Sequence, residues 1–275
     1  MANGARDDLR RVTQEQNDQY QKVLSFIIYL IVTLIMVTVT FLNPFFMKNQ
    51  IRTDNNEAII VRQVNKHFDT LASEIGANKN GNANLLTTKQ TQPIADHIID
   101  YTLGAFFKFN NLNLANQILY DIDLNIDQGA SSDAQLVQQK LKKQGSNAPY
   151  EVVDAFSLNT MMVGSNVATA LLLLNIIVLV MAAISLRSLI SDLRTEMTSK
   201  KLTHTITGAA MWASFWLMLI AGIIALIPIV FNVREIAVFG YILEISSSIF
   251  LDFVIVGVVL YILSAILWEF TAQEN

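Results

Sequence analysis

Residues 23–42 read VLSFIIYLIVTLIMVTVTFL, twenty residues without a charge, a glycine or a proline. An α-helix rises about 1.5 Å per residue, so this stretch reaches about 30 Å, the thickness of a bilayer's hydrocarbon core. It has no polar face to turn to water, so it predicts a membrane-spanning helix. The signal recurs: Val167–Leu186, Ile206–Phe231 and Ile236–Trp268 are also long and charge-poor. The fourth run has 33 residues. As helix it would reach about 50 Å, so it must tilt or project beyond the bilayer.

Composition agrees. The chain has 275 residues, 52% hydrophobic and only 15% charged, with a mean hydropathy of +0.40. Soluble domains are nearer a quarter charged. An ordinary cytosolic enzyme and a disordered tail are both excluded. The net charge of −4 argues against nucleic acid as a partner. The absence of cysteine removes disulfides, thiol catalysis and Cys-ligated metals.

After Leu42 comes NPFFMKNQ, without an A-x-A-like cleavage site, so the first run reads as an uncleaved signal anchor. Arg6, Arg10, Arg11 and Lys22 precede it, and Arg187, Arg194, Lys200 and Lys201 lie between runs two and three. The positive-inside rule places both basic segments, and hence both termini, in the cytoplasm. The expected fold is an all-α membrane protein, a four-helix bundle with a helical extracellular domain inserted between the first two spans. Its layout is a cytoplasmic segment (1–22), span one (23–47), the extracellular domain (48–160) and span two (161–187). A cytoplasmic amphipathic loop (188–205), span three (206–231), a short extracellular loop (232–236), span four (237–268) and a cytoplasmic tail (269–275) follow.

Within 48–160 the apolar spacing is helical. Ile60, Val64, Phe68, Leu71 and Ile75 form one stripe, with Gly76 as its stop. Pro93 suits a first helical turn ahead of Ile94, Ile98 and Ile99. Leu114, Ile118, Leu119, Ile122 and Ile126 form another stripe. Ser132 and Asp133 signal a start for Leu136, Val137 and Leu141, with Gly145 as the stop. Pro149 opens a helix with no breaker before span two, so the two are expected to be continuous. Residues 78–86, NKNGNANLL, read as a flexible loop. No asparagine begins an N-x-S/T sequon, which fits a bacterial, Gram-positive-like surface.

Asp252 is the most informative polar residue. With Trp268 at the inner interface, sixteen residues of helix place Asp252 about 6 Å below the outer boundary of the core. A charge inside a span is costly, and intramembrane acids are functional suspects. Counting depth brings Thr38, Thr40, Ser165, Asn166, Thr169 and Pro228 to its level, with Ser248 one turn away. These residues form a candidate polar layer for a cation, a proton or a lipid head group; the plainer reading is an acid hydrogen-bonded to neighbouring helices. Glu244, Arg234 and Glu235 would sit at the outer interface.

The run Asp121–Asp127 mimics the start of an EF-hand loop but places Ile126 and Ser132 where glycine and glutamate are needed. His97 and Asp100, at i and i+3, are weak candidates for a metal pair, against ordinary surface residues. No cofactor is implied. Leu186, Leu189, Ile190, Leu193 and Met197 continue the stripe of span two, as an amphipathic helix on lipid or as span two prolonged. Gly164 with Ala168, Ala221 with Ala225, and Ser214 with Gly222 have the spacing of close helix contacts.

No hydrolase, P-loop or dinucleotide motif occurs. The expected function is a non-enzymatic envelope protein: an accessory subunit, scaffold or sensor whose outer domain binds a partner. The alternatives are an oligomeric channel or transporter with Asp252 in its path, and an intramembrane enzyme acting on lipid-linked substrates at the outer leaflet. Expected partners are the lipid bilayer and a protein, either foreign or a second copy.

Overall fold

The computed structural model describes residues 2–77, 84–126, 130–230 and 240–272, with the side chains of 2–17, 55, 228, 229 and 240–244 outside the description. Among the described residues all regular structure is helical. Four helices are long and apolar enough to cross a membrane: Asp18–Val39, Leu158–Glu196, Ser199–Ile227 and Ile245–Ala272. These are the four runs read from the sequence, and they fit a multi-pass membrane protein.

The chain divides into two compact units. A bundle unit comprises Met1–Thr38, Asn175–Asn232 and Ser246–Asn275; a helical unit comprises Val39–Leu174 and Val233–Ile245.

The bundle unit is built from α1 (Ala2–Val39), the second half of α8 (Leu158–Glu196), α9 (Ser199–Val230) and most of α10 (Gly240–Ala272). Ala209, Ala213, Leu217, Ala221 and Ala225 recur every four residues along α9, and all are buried. That spacing keeps them on one face, where small side chains let backbones approach. A close approach is made at Gly257 of α10, where a Cβ would stand 2.6 Å from Met218 Cγ and 3.3 Å from the Ser214 carbonyl oxygen. Of the expected pair, Ala221 and Ala225 are both buried, and Ser247 Oγ of α10 donates to the Ala225 carbonyl at 2.8 Å. Gly164 is different: a Cβ there would meet nothing within 4 Å.

Asn175 is buried in α8 and reaches α1. Its Nδ2 donates to the Leu34 carbonyl at 3.0 Å and to Thr38 Oγ1 at 2.6 Å, while the Thr38 hydroxyl donates to Leu34 O at 2.9 Å. In an apolar surround an amide finds a partner on the neighbouring helix because water is absent.

The helical unit contains α2 (Pro44–Gln50), α3 (Asp54–Glu74), α4 (Thr88–Thr102), α5 (Leu112–Asn125), α6 (Ser132–Gln144), a single 3-10 turn (Gly145–Asn147), α7 (Ala148–Ala155) and the start of α8. Phe68, Leu71, Ile94, Leu114, Ile118, Val152 and Phe156 are fully buried. Each such side chain contributes about 1.5–3 kcal/mol on burial. The helix stops follow the glycines: Gly76 and Gly145 take φ of +69° and +54°, a region where a Cβ is strained.

Several expectations are corrected. Pro93 does not begin its helix; α4 starts at Thr88, because the Gln90 side chain accepts from the Thr87 N–H at 2.8 Å and fixes the start there. Pro93 lies inside α4. The helix opened by Pro149 is not continuous with span two: α7 ends at Ala155, Ser157 has a φ of +52°, and α8 begins at Leu158. Phe156 and Leu158 are both fully buried. Residues two apart on one helix face opposite ways, so burying both in one core requires the break. Beyond span two, α8 runs on to Glu196 and α9 begins at Ser199, which leaves only a short break inside residues 188–205. The run 78–86 is only partly described: residues 78–83 lie outside the described residues, and Leu85 and Leu86 are buried.

Candidate functional site

The residues of the candidate polar layer fall into two units. Thr38, Ser248 and Asp252 belong to the bundle unit; Thr40, Ser165, Asn166 and Thr169 belong to the helical unit. Pro228 lies in α9 and Glu244 in α10, but their side chains are outside the description, and Arg234 and Glu235 lie outside the described residues. Asp252 is half-buried on α10, and no hydrogen bond or ion pair to it is found among the described residues. Thr38 is engaged by Asn175. Thr40 is buried.

Ser165, Asn166 and Thr169 share one task. They stand two to three turns into α8 and hold the backbone of the last turn of α4 and of the loop that follows it. Ser165 Oγ donates to the Tyr101 carbonyl at 2.9 Å. The Asn166 amide grips both backbone groups of Lys108: Oδ1 accepts from its N–H at 2.6 Å and Nδ2 donates to its carbonyl at 2.9 Å. Thr169 Oγ1 donates to the Gly104 carbonyl at 3.2 Å. Asn111 Nδ2 donates to Asn159 Oδ1 at 2.7 Å, and the Tyr101 hydroxyl donates to the Asn110 carbonyl at 3.0 Å. A loop without a ladder of its own needs such partners for its peptide groups. Gly104 is required by close approach, since a Cβ there would lie 2.9 Å from the Asp100 carbonyl oxygen.

The ionisable groups of α4 and α5 pair with separate partners. Asp100 accepts from Lys48 Nζ at 2.9 Å, and Arg52 pairs with Asp96. His97 Nε2 stands 3.4 Å from the Asp121 carboxylate. Asp121 is buried, and burial raises its carboxyl above the usual range; His97 lowers it and Asp96 raises it further. His97 and Asp100 thus serve different partners, and no group of three His, Cys, Asp or Glu is arranged for a metal among the described residues. In the EF-hand-like run, Asp121 and Asp123 lie within helix α5 and Asp127 lies outside the described residues.

An apolar cavity of about 120 Å³ lies within the helical unit, lined by Met47, Ile51, Val64, Ile99, Met161 and His67 among others. His67 Nδ1 is 3.0 Å from the Ala155 carbonyl, and its ring stacks on Phe156 at 5.4 Å. Burial pushes the His67 imidazole below its usual pKa; the Ala155 hydrogen bond opposes this and Lys66 adds to it. The unfolded chain therefore binds more protons than the folded one in the window just below pH 6.5. Stability is complete above that window and is lost as pH falls through it. The unfolding midpoint should drop between pH 7.5 and 5.5, and His67→Phe should flatten that drop. An equally steep decline in His67→Phe, followed by circular dichroism in urea, would exclude His67 as its source.

Two features escape a reading by depth and periodicity. Asn175 is the one amide inside the uncharged run of span two, and that isolation was its signal. The aromatic cluster Phe106-Phe107-Lys108-Phe109 lies between Gly104 and Asn110-Asn111, and its signal was aromatics bounded by turn residues. No family model, curated protein or solved structure matches this chain.

Proposed function

We propose that the chain is a non-enzymatic multi-pass protein of a bacterial cell envelope. Both termini are cytoplasmic and the helical unit is outside. It acts as an accessory subunit, scaffold or sensor by binding another protein through that unit. The orientation is supported by the basic residues before span one and between spans two and three.

One observation carries the functional reading: among the described residues, several polar side chains of the helical unit that chemistry could have used bind its own backbone or one another, while large apolar ones are left on its surface. Ser165, Asn166 and Thr169 hold a loop, His67 bonds the Ala155 carbonyl, and Asp96, His97 and Asp100 pair with Arg52, Asp121 and Lys48. Tyr120 and Leu124 stand at i and i+4 on one face of α5, 65% and 63% exposed. Asp123, one helical turn after Tyr120, pairs with Lys142 at 2.5 Å. An exposed tyrosine beside an aliphatic residue and a charge pair is the chemistry of a protein-binding surface, where tyrosine often dominates affinity.

The test is the native mass of the chain after extraction in mild detergent. The expected result is a stoichiometric complex with a foreign protein. Tyr120→Ala with Leu124→Ala should weaken it by about tenfold or more, because truncated anchors commonly cost over 1 kcal/mol. Both residues are exposed, so the fold should persist. A chain that purifies as a monomer or a homo-oligomer, with the same mass in the double variant, sinks the proposal.

A further inference from the structure

The loop of residues 103–111 presents three phenylalanines outward. Phe106 is 78% exposed, Phe107 46% and Phe109 91%. Three exposed aromatics within four residues cannot be explained by packing against the core of their own unit. Their backbone is nonetheless fixed, by the Asn166 grip on Lys108 and by Thr169 on Gly104. The loop backbone is tied to α8 while these side chains stay uncovered.

The height of that grip identifies what they meet. Asn166 is the residue before the uncharged run Val167–Leu186, and Thr169 lies in its first turn. The Phe106 carbonyl is 3.5 Å from Thr169 Oγ1, so the loop sits at the level where the apolar run begins. On α8 itself Val163, Val167, Leu171 and Leu174 are about half exposed or more and mark a side turned to lipid. Phenylalanine has no polar handle, but on a segment lying in the interface it sinks about 5–10 Å into the boundary between head groups and acyl chains, with a basic residue on the polar side. Lys108 lies with Nζ 5.6 Å from the Tyr101 ring centroid, and a lysine on an aliphatic stem can keep its amine among phosphates while its stem stays in the apolar layer.

We propose that residues 105–109 form an interfacial anchor: Phe106, Phe107 and Phe109 lie in the phospholipid leaflet beside the N-terminal end of α8's apolar run, and Asn166 positions the loop at that depth. The inference rests on α8 crossing a membrane. It does not depend on which side of the membrane the helical unit occupies, nor on a protein partner.

The absence of cysteine makes the test direct, since one introduced cysteine gives one label. Phe106→Cys and Phe109→Cys are each spin-labelled in the full chain and reconstituted into phosphatidylcholine–phosphatidylglycerol vesicles with no other protein present. Collision with oxygen, which concentrates in lipid, is compared with collision by a water-soluble nickel chelate. Leu174→Cys serves as the lipid reference and Tyr120→Cys as the water reference. Phe106 and Phe109 are exposed, so neither substitution removes a core contact. Labels at 106 and 109 should show an oxygen-to-nickel ratio several-fold above that at 120, approaching that at 174. A ratio equal to that at 120 overturns the proposal and assigns the aromatics to water or to an absent protein. Adding Asn166→Ala to Phe109→Cys should lower the ratio and raise label mobility while helical content stays constant. An unchanged ratio overturns the positioning role of Asn166.

Discussion

Asn65→Leu should unfold much of the helical unit while leaving the four apolar helices in place. Asn65 is buried in the middle of α3, where an asparagine has no intrinsic advantage. Its side chain serves the segment before α4. Nδ2 donates to the Leu86 carbonyl at 2.9 Å, and Oδ1 accepts from the Leu86 N–H at 2.8 Å. Nδ2 also reaches the Val61 carbonyl at 2.9 Å. Leu86 is itself buried, so water cannot replace the amide. Leucine is similar in size but leaves a buried N–H and a buried carbonyl unpaired. Each such group costs about 1–3 kcal/mol, so a loss of roughly 3–5 kcal/mol is expected, a large share of a typical domain's stability. Hydrogen exchange in detergent should show lost protection in α3 and α4, with α9 and α10 unaffected. Protection within about 0.5 kcal/mol of the parent protein would show that the Leu86 groups find other partners.

The second large effect is expected in the bundle unit. Gly257→Leu should destabilise the packing of α9 against α10 by about 3 kcal/mol, at the upper end of ordinary overpacking. The first added atom would already stand 2.6 Å from Met218 Cγ. A methionine side chain can turn aside, but the Ser214 carbonyl oxygen at 3.3 Å and the Met218 nitrogen at 3.4 Å are backbone and cannot. Gly257→Ala should therefore be mild, at about 1 kcal/mol, and Met218→Ala should relieve part of it. Unfolding in SDS, followed by circular dichroism, measures all three. If leucine and alanine at position 257 behave alike, the two helices separate freely there and the contact does not limit stability.

Much of the fold was legible because it depends on local quantities. An uncharged run long enough to cross a bilayer announces itself, and all four runs became long helices. The stops at Gly76 and Gly145 were legible because a left-handed residue favours glycine. The small-residue stripe on α9 was legible in part, through Ala221 and Ala225. Gly164 shows the limit: spacing alone does not say whether a small residue has a neighbour.

The candidate layer was harder to read. Depth counting compares residues along parallel axes and assumes that a polar side chain at a given height meets others at that height. Ser165, Asn166 and Thr169 instead meet the backbone of a loop about 60 residues earlier in the chain, a separation of 58 positions for Asn166 and Lys108. Nothing in periodicity encodes that pairing. The same holds for Asn65 and Leu86, 21 positions apart, and for Asn175 and Leu34, 141 apart.

The sequence by itself determined the class of protein, the number of long apolar helices and the helix stops at Gly76 and Gly145, since apolar length, helical spacing and glycine's freedom act within a few residues. The tertiary structure decided where polar side chains spend their hydrogen bonds, why the chain breaks at Ser157, and which aromatics stay outside the core. Those outcomes depend on which distant backbone groups lack water and need a partner, and that is settled only when the helices pack.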